Sequence, residues 1–283
     1  MSRLWSPLAA LWSVDRLAGL ALGVLFVMVL LGVFGPWLPL GDPTKLAAGP
    51  RLSPPSWDFP FGTDELGRSF LPRVVEGIRY TFLLASMAVA ITAVLGTLLG
   101  MLAAYLGRFF DQSVARFADL LFAFPPLLAG LLVAAVAGPG ALSVITVISA
   151  ATLPLFIRVI RSASLSVVER DFVVAASVAG ASTWRIIARH ILPNVLSAAI
   201  VQLTYALSIA MIIESALSFL GLGEQPPRAS LGTLLRVSSV YLTIAPWLVG
   251  FAGLVLSLAI VSVNLLGDGL RDRVDPLKGR PLT

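Results

Sequence analysis

Hydrophobic residues are gathered into long runs that short polar segments separate. Five stretches contain no Asp, Glu, Lys or Arg: Leu17 to Gly41, Tyr80 to Gly107, Leu120 to Ile157, Ile191 to Ile213 and Val237 to Gly267. A membrane-spanning helix needs about 20 apolar residues. The third stretch is long enough for two helices, with a break at Gly138, Pro139 and Gly140, where turn residues replace helix formers. The pattern predicts an all-α membrane protein with six transmembrane helices.

The first apolar run is too long for a cleaved signal peptide, whose apolar core has about 7 to 15 residues. We therefore expect it to remain as the first membrane helix. The preceding segment, Met1 to Asp15, carries Trp5 and Trp12 about two helical turns apart. It is predicted either to lie along the inner membrane interface as an elbow helix or to be a disordered tail.

The distribution of basic residues indicates the orientation. An even number of spans places both termini on one side. With the N-terminus inside, 13 of the 20 Lys and Arg residues fall in inner segments and seven in outer ones. Basic residues favour the cytoplasmic side, so both termini are predicted to be cytoplasmic.

The two large polar segments differ in character. The outer one is irregular and rich in Pro and Gly from Gly41 to Trp57, and the alternation of basic and apolar residues from Arg68 to Arg79 predicts a short interfacial helix. The inner segment, Ser162 to Asn194, is predicted to contain folded helices.

Helix signals occur throughout the inner segment. Ser166 and Glu169 fit a capping box, and Asp171 is a candidate cap for a second turn. Gly180 predicts a break between two helical pieces, and Pro193 predicts the entry to the fifth membrane helix.

Composition excludes most catalytic chemistry. The chain has no cysteine, hence no disulfide, thiolate metal site or cysteine nucleophile. Its one histidine, His190, cannot form a zinc protease helix, and no G-x-S-x-G sequence is present. Neither lysine, Lys45 or Lys278, belongs to a Gly-Lys-Ser/Thr phosphate-binding loop. The net charge of +5 includes no dense basic cluster, which argues against nucleic-acid binding.

Small residues and prolines occur inside the predicted spans. The spacings Gly19 with Gly23, and Gly96 with Gly100, Ala103 and Gly107, predict close helix approach, either within this subunit or against a second one. Bends are predicted near the prolines in the third, fourth and sixth spans, at Pro125, Pro126, Pro154 and Pro246.

Glu214 is the acidic residue deepest in an apolar run. A carboxylate inside a membrane is costly, which makes Glu214 a candidate functional residue. The alternative is a shallow position with a structural, hydrogen-bonded role. Because the spans otherwise hold no such acids, the sequence counts against a carrier driven by protons.

Four motifs resemble those of ABC importer permeases. Residues 175–180 (AASVAG), followed by 190–194 (HILPN), resemble the EAA loop of these proteins. Residues 61–68 (FGTDELGR), 214–223 (ESALSFLGLG) and 266–272 (LGDGLRD, with Asp275-Pro276) resemble the C-type permease of dipeptide, oligopeptide and nickel importers. Two positions depart from that family: Val174 replaces the usual Glu of the loop, and Ser69 replaces the usual Asp.

The resemblance implies the fold of a type I ABC importer transmembrane domain in the cell inner membrane. It implies a non-catalytic subunit that pairs with a homologous second permease, two ABC ATPases and an extracytoplasmic substrate-binding protein, within membrane lipid. No cofactor is expected on this chain, since ATP and Mg would bind the ATPases. The implied ATPase-coupling residues are Asp171, Ala175, Ala176, Ala179, Gly180, Arg185, Arg189, His190 and Pro193.

The predicted organisation follows from these features. Residues 1–40 form the elbow segment and first helix, 41–79 the extracytoplasmic loop, 80–268 the five-helix core with the coupling loop 162–194, and 269–283 the cytoplasmic tail. The expected function is half of an import pathway for peptides or a related small solute. The alternatives are a nickel or glutathione importer of the same type, a proton-driven secondary transporter, and a membrane scaffold that does not transport.

Overall fold

The computed structural model describes residues 16–274 of the 283-residue chain, and side-chain exposure for residues 17–272. The predicted elbow segment, Met1 to Asp15, lies outside the described residues. The described α-helices are α1 Arg16–Phe34, α2 Phe70–Leu106, α3 Arg108–Ala123, α4 Pro126–Ala137, α5 Ala141–Val168, α6 Asp171–Val178, α7 Thr183–Ile186, α8 Leu192–Phe219, α9 Leu231–Ser239 and α10 Pro246–Val274.

Five helical segments in the described range are long and apolar enough to cross a membrane, and α3 with α4 makes a sixth if the bent pair is one span. The two helices of that pair meet at 87°. Pro125 at the junction has extended backbone, with ψ 131°, because a residue before proline avoids the helical region. The predicted break at Gly138 to Gly140 is confirmed, since α4 ends before it and α5 begins after it.

The outer segment ends differently from the prediction. Helix α2 begins at Phe70 and continues unbroken for 37 residues, so Arg68 to Arg79 does not form a separate interfacial helix. Pro72 does not interrupt α2, because it lies in the first turn, where its missing N–H has no helical partner to lose. At 1.5 Å per residue α2 is about 55 Å long, well beyond the roughly 30 Å of a bilayer core.

The predicted capping box is wrong. Helix α5 runs through it to Val168, and Ser166 Oγ donates a hydrogen bond to the Ala163 carbonyl, 2.8 Å away, instead of capping a new helix. No Gly or Pro stands between Leu155 and Val168 to end α5 earlier. Ion pairs from Arg161 to Asp111 and from Arg158 to Asp119 connect this part of α5 to α3.

The last part of the chain also differs from the prediction. The short helix α9 lies within the region between the fifth and sixth spans, where no helix was predicted. Pro246 is the first residue of α10 and therefore does not bend it. Helix α10 continues to Val274, so residues 269–274 of the predicted tail are helical.

Two of the predicted small residues bring α2 against α5 within this subunit. A Cβ atom added at Gly96 would lie 2.9 Å from Phe156 Cδ1. One added at Gly100 would lie 2.9 Å from Ile160 Cβ and 3.0 Å from the backbone nitrogen of Arg161. These positions therefore serve packing inside the chain. Around Gly23 and Gly107 no atom lies within 4 Å of such a Cβ.

The bundle has two ends. At one end, Phe61 stacks on Phe251 near the start of α10, with ring centroids 4.1 Å apart. At the other end, a Cβ at Gly269 near the end of α10 would lie 2.9 Å from Ala18 of α1. Alternation of helix direction places residues 169–182, between α5 and α7, at this second end. We call the first the Gly62 end and the second the Gly180 end.

Candidate functional site

The loop at the Gly180 end is a helix, a tight turn and a second helix. Three backbone hydrogen bonds close the turn after α6: Ala179 N to Ala175 O at 2.9 Å, Gly180 N to Ser177 O at 3.0 Å and Ala181 N to Ala176 O at 3.1 Å. This is the Schellman pattern of helix C-termini, which needs a left-handed residue after the cap. Gly180 supplies it with φ +77°. The predicted break at Gly180 is confirmed.

Most of the predicted coupling residues on α6 lie on one exposed surface. Ala175 and Ala179 are one turn apart and exposed, as is Gly180, while Ala176 is half-buried. Val174 and Val178 adjoin them, 51% and 85% exposed. The valine in place of the family's glutamate thus adds to an exposed apolar face. We call Val174, Ala175, Val178, Ala179 and Gly180 the α6 face.

The loop also carries the polar coupling residues predicted from the sequence. Asp171 is the first residue of α6, where a negative charge is favourable next to the helix N-terminus, but Arg170 occupies the cap position that Asp171 was expected to fill. Arg185 and Arg189 are exposed. His190 is half-buried, and its ring centroid lies 6.0 Å from that of Phe172.

Pro193 lies in the first turn of α8, as predicted for the entry to the fifth membrane helix, and α8 continues a helical segment that begins before it. The helical segment runs from Thr183 to Phe219, through a π-helical turn at Ile187–Ile191. Proline lacks the N–H of a regular helical hydrogen bond, and a π turn is one way for a helix to absorb such an irregularity. Pro193 itself is exposed.

The base of the loop is packed into the core. Val173 is 2% exposed, and Ile186, Ile187 and Ile191 are at most 3% exposed. The loop is therefore anchored by apolar residues beneath an accessible surface. Sequence reasoning missed these anchors, although the spacing of Ile186, Ile187 and Ile191 places them on one side of the helical segment, which is a detectable signal.

Glu214 is fully buried near the other end of α8. Its carboxylate accepts hydrogen bonds from Ser218 Oγ at 2.7 Å and Ser215 Oγ at 3.3 Å. The hydroxyl groups of Thr81 on α2 and Ser230 before α9 also lie close to it. Thr81 Oγ1 in turn accepts from the Leu231 backbone N–H at 3.1 Å. Glu214 thus lies among hydroxyl groups of α2, α8 and the start of α9.

The described residues thus form a multi-span helical bundle with an anchored, exposed helical loop, an architecture typical of membrane transport subunits. Residues 96–280 match the family described as "Binding-protein-dependent transport system inner membrane component". The chain belongs to this family. It is a permease subunit of an ABC importer and a multi-pass protein of the inner membrane.

Relatives at more than one third identity cover nearly the whole chain. The di/tripeptide transport system permease protein DppC of Pseudomonas aeruginosa is 37% identical over 280 residues, which is 96% of this chain and 92% of that protein. The dipeptide transport system permease protein DppC of Alkalihalophilus pseudofirmus is 36% identical, with 93% and 86% covered. The probable D,D-dipeptide permease DdpC of Escherichia coli is also 36% identical, with 90% and 86% covered.

The fold is similar to that of a solved importer. A chain of the MetNI methionine ABC transporter in an inward-facing conformation superposes with a TM-score of 0.59 at 16% identity, covering 72% of this chain and 97% of the other. This likeness establishes the type I importer fold of the permease predicted from the motifs.

Proposed function

We propose that this chain forms half of the translocation pathway of an ATP-driven peptide importer and docks a separate ATPase on the α6 face. The observation that carries the docking site is the α6 face itself, which is apolar and exposed at the tip of a loop anchored by buried isoleucines. Peptide as the substrate is supported by the names of the relatives described above. The Gly180 end then lies in the cytoplasm.

The small side chains suit close docking. Ala175 and Ala179 let another surface approach the α6 backbone, and the turn at Gly180 directs the chain back towards the membrane. Arg185 and Arg189 are exposed on the helical segment that follows the turn, where they can pair with acidic groups of the partner. Since Val174 carries no charge, docking here depends on shape and on the arginines more than on a carboxylate of the loop.

The loop is mechanically connected to the membrane region. The helical segment Thr183–Phe219 has 37 residues, about 55 Å at 1.5 Å per residue. Its first turns are fixed in the core by Ile186, Ile187 and Ile191, and its last turns by Glu214. A displacement of the docked loop is therefore passed along α8 to the opposite end of the bundle.

The remaining machinery belongs to partners. A homologous second permease would enclose the pathway, two ATPases would bind ATP and Mg at the Gly180 end, and a substrate-binding protein would deliver solute at the Gly62 end. This assignment is supported by the family, whose description names a binding-protein-dependent system, and by the lack of a phosphate-binding loop in the sequence.

Uptake by the reconstituted complex tests the proposal. We expect proteoliposomes containing this chain, its partner permease and the ATPases to accumulate labelled dipeptide only with binding protein and internal ATP. The chain purified alone should hydrolyse no ATP. Uptake should persist when a protonophore collapses the proton gradient at constant ATP. Loss of uptake under that condition would favour the proton-driven alternative, and uptake of nickel or glutathione without dipeptide would overturn the assigned substrate.

A further inference from the structure

A cavity of about 490 Å³ opens between the end of α1 and the start of α2, at the Gly62 end. Its volume lies within the roughly 300 to 1,000 Å³ of small-ligand sites. The cavity forms because α1 approaches α2 closely at Gly32 and Gly35, and the chain after Gly35 then turns away from α2. A Cβ at Gly32 would lie 3.5 Å from Arg79 Cα, and one at Gly35 would overlap Val75. Beyond Gly35 a 3₁₀ turn leads the chain away.

Two groups of opposite charge line this cavity. Glu76 Oε2 is buried and has no hydrogen-bond partner in the described structure. Arg79, one turn later on α2, also lines the cavity and is exposed. Among residues 17–272, neither side chain forms an ion pair within 4.0 Å. A buried acceptor without a donor is costly, so the site favours a ligand that supplies one.

Asp42 adds negative charge at the cavity wall. Its carboxylate already accepts hydrogen bonds from Thr44 Oγ1 at 2.6 Å and Thr44 N at 2.7 Å. These bonds lower the pKa of Asp42, so the group is ionised at neutral pH. The cavity lining therefore has one free acceptor at Glu76, a carboxylate at Asp42 and a guanidinium at Arg79, and the guanidinium groups of Arg73 and Arg228 also act on Glu76.

The surroundings indicate where the ligand comes from. Phe26, Leu30, Val33 and Trp37 follow one another at helical spacing along α1 and its 3₁₀ turn, and all are exposed. Trp37, 76% exposed, ends this apolar stripe beside the cavity. Tryptophan is enriched where the hydrocarbon core meets the headgroups. The cavity thus lies at headgroup level, next to a surface suited to acyl chains.

We propose that this cavity binds a zwitterionic lipid headgroup carrying a primary ammonium, as in phosphatidylethanolamine. The ammonium donates to Glu76, and the phosphate accepts from the Arg79 guanidinium, a strong charge-assisted pair. The acyl chains lie along the α1 stripe. A quaternary ammonium has no N–H to donate, so phosphatidylcholine leaves Glu76 Oε2 without its hydrogen bond.

Native mass spectrometry of the delipidated transporter complex, given equal amounts of defined lipids, tests this site. We expect about a tenfold preference for phosphatidylethanolamine over phosphatidylcholine, the effect of one hydrogen bond to a charged group. Glu76→Gln keeps one acceptor oxygen but removes the charge that strengthens the bond, so it should reduce the preference severalfold. Arg79→Gln should weaken both lipids, since both carry the phosphate. Matched surface variants Asp58→Asn and Arg51→Gln, both exposed and outside the cavity, should bind as the unaltered chain does.

Three results would overturn the proposal. The first is equal binding of the two lipids by the unaltered chain, and the second is an unchanged lipid preference in Glu76→Gln. The third is displacement of the lipid by a free dipeptide, which would show that the group bound at Glu76 is the N-terminal ammonium of a peptide. Melting of each variant without added lipid separates site loss from misfolding. Because Arg79→Gln probes the site independently, the test remains decisive if Glu76→Gln does not fold.

Discussion

Gly180→Val is expected to reduce ATP-driven uptake about tenfold or more while the protein remains in the membrane. Gly180 has φ +77°, and a left-handed conformation costs an ordinary L-residue about 1–2 kcal/mol, more for a β-branched one. No atom lies within 4 Å of a Cβ built there, so the cost is in the backbone of the turn and at the docked partner. Initial uptake rates measure transport, and quantitative blotting of the membrane fraction measures the amount of protein that remains in the membrane.

Two variants control this result. Gly180→Asn should retain much of the uptake, because Asn tolerates the left-handed region. Gly138→Val places the same change at another glycine of positive φ, +83°, that is also in open space, between α4 and α5. If Gly138→Val reduced uptake as much as Gly180→Val, the effect would be general backbone strain and the assigned role of the α6 turn would be wrong.

Glu214→Ala is expected to destabilise the protein by about 3 kcal/mol or more. The change removes the acceptor of the hydrogen bonds from Ser215 and Ser218, beside the hydroxyl groups of Thr81 and Ser230. Each buried polar group left unpaired costs about 1–3 kcal/mol, and the truncation adds a cavity. Thermal unfolding in detergent and the yield of folded protein in membranes measure the loss.

Glu214→Gln separates a structural role from a proton-carrying one. Glutamine keeps the shape and one acceptor oxygen, so stability should fall by about 1 kcal/mol, the value of a typical net hydrogen bond, and uptake should continue. A variant that folds normally but no longer transports would show that the carboxyl group itself acts in transport. That outcome would contradict a purely structural role for Glu214.

The membrane spans were predictable because their signal is local. Apolar run length gave the spans, and Gly138 to Gly140 marked a true break. The bend at Pro125 also follows from a local rule, since a residue before proline avoids helix. Local sequence signals predicted the wrong helix ends where a helix continues past them. Helix α2 extends to Phe70 through Pro72, and α5 passes Ser166, because packing against neighbouring helices outweighs a weak terminal signal.

The candidate site was predictable in part for the same reason. Gly180 could be identified because a Schellman turn needs a residue that accepts positive φ. The hydroxyl groups around Glu214 could not be identified from the sequence, because Thr81 and Ser230 are distant from Glu214 in sequence and only the fold brings them close to it. The Glu76 cavity depends likewise on the crossing of α1 and α2.

Site-directed cross-linking tests most directly whether the α6 face docks an ATPase. The natural chain has no cysteine, so Ala179→Cys introduces its only thiol, on the exposed turn after α6. Trp57→Cys provides the matched site at the other end of the bundle, where the side chain is fully exposed. With a short bifunctional maleimide and a cysteine scan of the ATPase in the assembled complex, we predict that Ala179→Cys forms a product of permease plus ATPase mass and that Trp57→Cys does not. An ATPase product from Trp57→Cys, with none from Ala179→Cys, would contradict the account.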